Sequence, residues 1–271
     1  MYYQLFLIFF LFFILSLIVF CYKKIYKKID HFQKVNYIDH IVWINLDRSE
    51  FRRGEMLKKL HPISIPKTRI QAVDGKNKSL MNKMKENLKL NITEYEFACL
   101  LSHIKAISFC ESLEGQNFLI VEDDISFKNL EFFKISLKDI ILNSPTFDIL
   151  MIYKNLLIPL PYMYTDWNEE FAKGWHISGA VAYIINKQGI KKILQQISYN
   201  KKENKFTYFN RNITLADIFL FKNCKTMIFK YNFFSVEIKD STIHTDHLPI
   251  QNQCVNFQQN EIMKNLINSK I

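Results

Sequence analysis

Glycine and proline are scarce in this chain, six of each in 271 residues. Long glycine-rich loops are thereby excluded. Neither a G-x-G-x-x-G run nor a Walker-type phosphate loop occurs, which sets aside a dinucleotide oxidoreductase and a P-loop NTPase. The cysteines are an odd five with no C-x-x-C pair, so spacing indicates neither zinc nor a disulfide framework. Cys99 and Cys110 fall in one predicted helix, and most of the five read as buried thiols that pack like small apolar groups. No internal repeat, RRM or zinc-finger signature is present. The net charge of +10 is carried largely by scattered lysines rather than a dense basic stripe, and nucleic acid is not an expected partner. Hydrophobic residues make up 49%, too many for a disordered chain and enough for a sizeable core. The length fits one large α/β domain or two small ones.

Charge is absent from residues 1–22. A helix of that length is roughly 33 Å long, enough to cross a bilayer. Tyr2 and Tyr3 at one end, and Tyr22 and Tyr26 at the other, suit the two interfaces. A signal peptide would need a basic n-region and a small-residue cleavage site, and both are missing. Residues 1–22 are therefore expected to be a single-pass transmembrane anchor. A basic stalk over 23–36 follows, with Lys23, Lys24, Lys27 and Lys28. The side of the membrane stays open. The positive-inside rule places the main domain in the cytoplasm. A Golgi- or ER-type anchor places it in the lumen, where the sequons at Asn77, Asn91 and Asn212 are open to glycosylation.

Beyond the stalk, strand and helix signals alternate. The apolar run His40–Asp47 ends in polar residues. A helix follows, with Ser49 as N-cap and Phe51, Met56, Leu57 and Leu60 as its apolar positions. Residues 68–73 read as a strand closed by an Asp74-Gly75 turn. Thr93-Glu-Tyr-Glu96 is a capping box that opens a helix to about Glu111, with Phe97, Leu100, Leu101, Ile104 and Ile107 facing the core. Further strands are expected at 118–121, 147–152, 179–185 and near 225–231, and helices at 129–142, 186–197 and near 214–222. Residues 155–173 read as a loop, and 251–271 as a polar, peripheral tail. The pattern predicts an α/β domain over 37–250 with an open, mostly parallel sheet flanked by helices. Such sheets bind ligands beyond the C-terminal strand ends, where Asn45 to Arg48 and Glu122 to Asp124 both fall.

The run Phe118-Leu-Ile-Val-Glu-Asp-Asp124 carries the sharpest chemical signal. Four apolar residues read as a buried strand that stops at three adjacent carboxylates, which repel one another. A hard divalent cation such as Mn²⁺ or Mg²⁺, bound together with substrate phosphates, gives that cluster a use. A solvated acidic loop is the plain alternative. Arg48, Arg52 and Arg53 fall within six positions of a lysine-rich chain. On a helix, Arg48 and Arg52 are i, i+4 neighbours suited to phosphate; the alternative is a solvated face on which Arg52 pairs with Glu55.

These segments, in this order, resemble glycosyltransferase family 25, the lipopolysaccharide and procollagen galactosyltransferases. Val42-Trp-Ile-Asn-Leu-Asp-Arg48 with Arg52 and Arg53 is similar to the family's opening strand and arginines. Arg69-Ile-Gln-Ala-Val-Asp-Gly75 resembles its AVDG segment, and Glu96-Phe-Ala-Cys-Leu-Leu-Ser-His103 its GExGCxLSH helix. Ile120-Val-Glu-Asp-Asp124 resembles its LEDD element. Gly179 to Tyr183 with Gly189, then Asp217, then Ser241-Thr-Ile243 continue the order. Tyr95 and Ala98 stand where the family has glycines.

The resemblance implies a GT-A-type, Rossmann-like fold, a Mn²⁺ or Mg²⁺ cofactor and a UDP-hexose donor, with galactose or glucose as the sugar. It implies transfer, with inversion, to a hydroxyl of a glycan, lipid-linked or protein acceptor. Asp124 would then meet the metal, joined by His244 of His244-Thr-Asp-His247, for which a loop histidine without a role is the plain alternative. Glu122 and Asp123 would bind ribose, sugar hydroxyls or metal waters. Arg48 and Arg52 would contact the diphosphate or nucleotide, and Ser102 and His103 the donor sugar; the alternative for His103 is a structural group that caps a polar network, the commoner role of a lone histidine on a core helix. His176, Ser178 and Gly179 would line the sugar or acceptor pocket. Asp217 would be the general base, with Asp166 and Glu169 as other candidates. Thr214-Leu-Ala-Asp217 also reads as a capping box, a rival explanation for that acid. A non-catalytic adhesion or scaffold protein and a basic membrane-surface binder are the competing functions.

Overall fold

The computed structural model describes residues 10–21, 32–85, 88–170, 178–237 and 248–267. Its centre is a seven-stranded sheet of β1 (His40–Asn45), β2 (Lys67–Gln71), β3 (Asn117–Glu122), β5 (Ile149–Met151), β6 (Tyr164–Asp166), β7 (Ala182–Asn186) and β10 (Thr226–Phe229), in the order β2-β1-β3-β7-β5-β10-β6. β1 runs parallel to β2 and β3, and β10 parallel to β5. β7 is antiparallel to β3 and β5, and β6 to β10. The sheet is thus mixed, mostly parallel and Rossmann-like. The reversed β7 matters for the site. Its first residues meet the C-terminal ends of its neighbours, and Glu122 N–H donates to Val181 O at 2.9 Å.

Both faces of the sheet are covered, and the period-2 alternation of each strand divides the core. Val42, Phe118, Ile120, Tyr183 and Ile185 pack into one layer; Ile41, Trp43, Leu119, Val121 and Ile184 pack into the other. The first layer holds α3 (Glu94–Glu111), whose capping box between Thr93 and Glu96 is formed in both directions. Its Phe97, Leu100, Leu101, Ile104 and Ile107 are fully buried, as their spacing predicts. The second layer holds α1 (Glu50–Leu60) and α4 (Leu137–Asn143). The remaining elements are α2 (Lys78–Lys85), the hairpin β8 (Ile197–Asn200) and β9 (Lys205–Tyr208), α5 (Lys187–Leu194), α6 (Ala216–Lys222) and α7 (Leu248–Ile267). A short pair, β4 (Ile125–Ser126) with β11 (Ser235–Val236), closes the chain just beyond the acid triplet.

Several expectations are corrected. In α1 only Met56 and Leu60 are buried, while Phe51 is 69% and Leu57 56% exposed, and Ser49 makes no cap bond. The helix touches the sheet along one narrow stripe. The helix expected at 129–142 is broken into a 3-10 turn, Lys128–Phe132, and α4, restarted by a capping box of Ser136 and Asp139. The expected loop at 155–173 contains edge strand β6. The expected tail contains α7, whose Cys254, Gln258 and Ile262 are buried, with Gln258 Nε2 donating to Leu156 O at 3.1 Å. The capping box at Thr214 is not formed: Leu215 is the N-cap of α6, without a side-chain bond.

The single-pass anchor over residues 1–22 is also corrected, and a membrane location with it. No helix among the described residues is long and apolar enough to cross a membrane. Residues 1–9 and 22–31, which include the four stalk lysines, lie outside the described residues.

Candidate active site

β1 and β3 are parallel neighbours with Ile44 opposite Glu122, so the next residues of both strands meet at one rim. Asn45 Nδ2 donates to Asp123 Oδ2 at 2.5 Å. Arg69, from β2, fixes that amide by donating from Nε to Asn45 Oδ1 at 2.9 Å. Arg52, in the first turn of α1, brings Nη2 to 2.5 Å from Asp123 Oδ1 and 3.1 Å from Asp124 Oδ2. Both oxygens of Asp123 are therefore engaged by protein. Asp124 differs: its Oδ1 is buried and has no hydrogen-bond partner among the described residues. Burial, reinforced by the Glu122 charge, pushes the Asp124 carboxyl up to about 7 against the pull of Arg52. Burial raises Asp123 as well, opposed by Arg52 and Asn45.

Glu122 is held from behind. The fully buried His103 lies with Nε2 3.2 Å from Glu122 Oε1 and Nδ1 3.1 Å from the Tyr183 hydroxyl. A carboxylate only accepts, so Nε2 carries a proton toward Glu122; Nδ1 accepts from the Tyr183 hydroxyl when His103 is neutral and donates to it when His103 is charged. Burial alone would raise Glu122, but the His103 bond and charge, helped by Arg52, leave it below the ordinary carboxylate range.

Asp217 enters from the first turn of α6. Its Oδ2 accepts from Gly179 N–H at 3.0 Å and its Oδ1 from Ile218 N–H at 2.9 Å. This tertiary bond to Gly179 takes the place of the expected cap. Burial raises Asp217, while the two N–H groups and His103 lower it. Burial, followed by the charges of Glu122, Asp217 and Asp124, raises the thiol of Cys99, one turn before His103. Gly179 has φ +107°, and a Cβ there would lie 3.2 Å from Tyr153 Cε1. Only glycine takes that conformation without strain.

The other expected residues are placed as follows. Arg48 precedes α1, so it is no helical neighbour of Arg52; its Nε donates to Asp74 Oδ2 at 2.9 Å on the outer edge. Glu55 pairs with Lys58 at 2.8 Å. Ser102 is bound into the backbone, donating to Ala98 O at 2.7 Å and accepting from Val73 N–H at 2.8 Å. His176, His244 and Ser241-Thr-Ile243 lie outside the described residues. Sequence reasoning missed Arg69 and Tyr183 as supports. Asn45 carried a signal, a polar residue ending an apolar strand; Tyr183 carried none, since it reads as a core aromatic.

An all-oxygen set with one unsatisfied buried carboxylate oxygen suits a hard cation such as Mn²⁺ or Mg²⁺. The family model of glycosyltransferase family 25 (LPS biosynthesis protein) matches residues 38–208, a span that includes the acid triplet, His103 and Gly179. The chain is similar to a glycosyltransferase 25 family member of Anopheles gambiae, 26% identical over 178 residues, 60% of this chain and 30% of that protein. It is also similar to procollagen galactosyltransferase 2 of Mus musculus, 29% identical over 102 residues, 34% of this chain and 16% of that protein. It thus spans less than a third of the length of these curated relatives.

Proposed function

Since the chain belongs to glycosyltransferase family 25, we propose that it is a metal-dependent glycosyltransferase of GT-A type. It moves a hexose, galactose or glucose, from a UDP-sugar to a hydroxyl of a glycan, lipid-linked or protein acceptor. The observation that carries this reading is the split between Asp123, held by Arg52 and Asn45, and Asp124, whose buried Oδ1 lacks a partner among the described residues. Asp124 would hold Mn²⁺ or Mg²⁺, with His244 as a further proposed ligand. When bound, the cation offsets the negative charge that develops on the diphosphate leaving group.

The chain's own residues do the rest. Arg52 exchanges its carboxylate partners for phosphate oxygens, which its planar fork suits. Glu122, oriented by His103 and Tyr183, accepts from a ribose or sugar hydroxyl. Asp217, anchored by Gly179 N–H, takes the proton from the acceptor oxygen as that oxygen attacks the anomeric carbon, which inverts. Its burial strengthens it as a base.

The test is hydrolysis and transfer by the purified chain, across a panel of nucleotide sugars with and without Mn²⁺, alongside Asp124→Ala. Turnover of one donor that needs both Mn²⁺ and Asp124 is expected. No turnover, together with no calorimetric binding of UDP and Mn²⁺ to a demonstrably folded chain, would sink the reading in favour of a non-catalytic scaffold.

A further inference from the structure

We propose that Cys99, His103 and Glu122 form a binding site for a borderline divalent cation of the Zn²⁺ class, distinct in donor chemistry from the hard-cation site at Asp124. One ligand atom from each residue lies within 4.8 Å of the other two. Cys99 and His103 are i, i+4 on α3 and rise from successive turns of one helix face. Glu122 faces them from the end of β3. Sulfur, nitrogen and oxygen together are the donor set of zinc, not of Mn²⁺ or Mg²⁺. Motif spacing does not reveal it, because the ligands come from two elements.

Three further features fit. A tetrahedral zinc holds its ligand atoms roughly 3.3–3.8 Å apart; His103 Nε2 and Glu122 Oε1 are 3.2 Å apart, and rotation of the Cys99 side chain closes the remainder. The second ring nitrogen of His103 is bonded to the Tyr183 hydroxyl at 3.1 Å, the outer support that metal-binding histidines carry. That hydroxyl accepts as readily as it donates, so Nε2 is freed for the metal by a change of tautomer. The acids around the site attract a cation; burial, then Glu122, Asp217, Asp124 and Glu96, raise the Cys99 thiol, so the incoming ion displaces its proton on binding. Three protein ligands, with Cys99 and Glu122 only half-buried, leave a fourth position open. The bound ion replaces the direct His103–Glu122 bond and clamps α3 to the sheet. On the transferase reading it also withdraws Glu122 from the sugar, making zinc an inhibitor; binding itself does not depend on that reading.

The experiment titrates the metal-stripped chain with Co²⁺, a coloured zinc surrogate, and then with Zn²⁺. One equivalent of Co²⁺ is expected to give visible ligand-field bands and a near-ultraviolet thiolate-to-cobalt band, both displaced by Zn²⁺. Zn²⁺ should raise the Tm, because it binds only the folded state. Cys99→Ala should lose the thiolate band and the Tm shift, and Asp124→Asn should keep both. Cys99→Ser repeats the test if the alanine variant fails to fold, folding being checked by Tm without metal. No stoichiometric uptake by the folded wild type overturns the proposal. So does a thiolate band that survives in the Cys99 variants, which would assign the metal to another cysteine.

Discussion

Asp123 and Asp124 are adjacent, share Arg52, and differ in what else they touch. Asp123 accepts from Asn45 and Arg52, so its charge holds β1, β3 and α1 together at the rim. Asp123→Asn weakens the ion pair and clashes amide against amide at Asn45. It is expected to cost about 1–3 kcal/mol, seen as a lower urea midpoint. Asp124 keeps one buried oxygen without a partner among the described residues, and burial and Glu122 both work against its charge. Asp124→Asn removes an unfavourable charge, so stability should hold or rise slightly, while calorimetric binding of UDP with Mn²⁺ falls more than about 100-fold. If the two variants lost equal stability, Asp124 would be a structural acid and its assignment to the metal would be wrong. Both acids were legible in the sequence as a triplet. Their division of labour was not, because it depends on Asn45 and Arg52 arriving from 78 and 71 residues away.

Elements were legible wherever their signals were local. α3 announces itself by a capping box and a helical repeat that depend on nothing outside it, and both hold in the structure. α1 shows the limit: its period names an apolar face but not how wide a stripe the sheet covers, and Phe51 and Leu57 fall outside that stripe. In α7 the buried stripe is one residue wide, Cys254, Gln258 and Ile262, which disappears in a polar composition. The reversal of β7 has no local signal, since Ala182 to Asn186 bury equally well in either direction. Yet it brings Gly179 to the rim, where its N–H captures Asp217. Gly189 tests how tightly such elements dock. A Cβ there would lie 2.6 Å from Asp148 O, a main-chain atom. Alanine improves helix propensity by about 1 kcal/mol, but α5 must move off the start of β5 to admit it, so Gly189→Ala should cost about 1–3 kcal/mol net in thermal unfolding. A stabilised variant would mean that α5 is free to slide.

Across the whole molecule, the rim joins two halves of the sheet that end in ionisable groups of opposite type. The β1–β3 half ends in the acid triplet. The β5–β10 half ends at Lys154, only 1% exposed, whose Nζ donates to Phe229 O at 3.0 Å, Lys230 O at 2.8 Å and Asn232 Oδ1 at 3.2 Å. Asn232 completes the tie, accepting from Lys154 N–H and donating to Lys154 O. Burial pushes the Lys154 ammonium down to about 7, against about 10.4 for an unfolded lysine. Between those values the unfolded chain binds more protons than the folded one, so stability rises with pH across the interval; below it the cost of burying the charge is fully present. Above about 8.5 the cysteine thiols intervene with the opposite sign, because burial raises those of Cys110 and Cys224 to about 12. Asp124, itself raised to about 7, loses its extra folded-state proton with the opposite sign up to about pH 8, so the clean window is about pH 8 to 8.5. There the unfolding free energy should climb by up to about 1.4 kcal/mol per pH unit, and Lys154→Met should flatten the climb. A wild-type curve that is flat or falling would show that the three oxygens around Nζ keep the lysine charged in the fold, making the second half of the rim a permanent cation opposite the acid triplet.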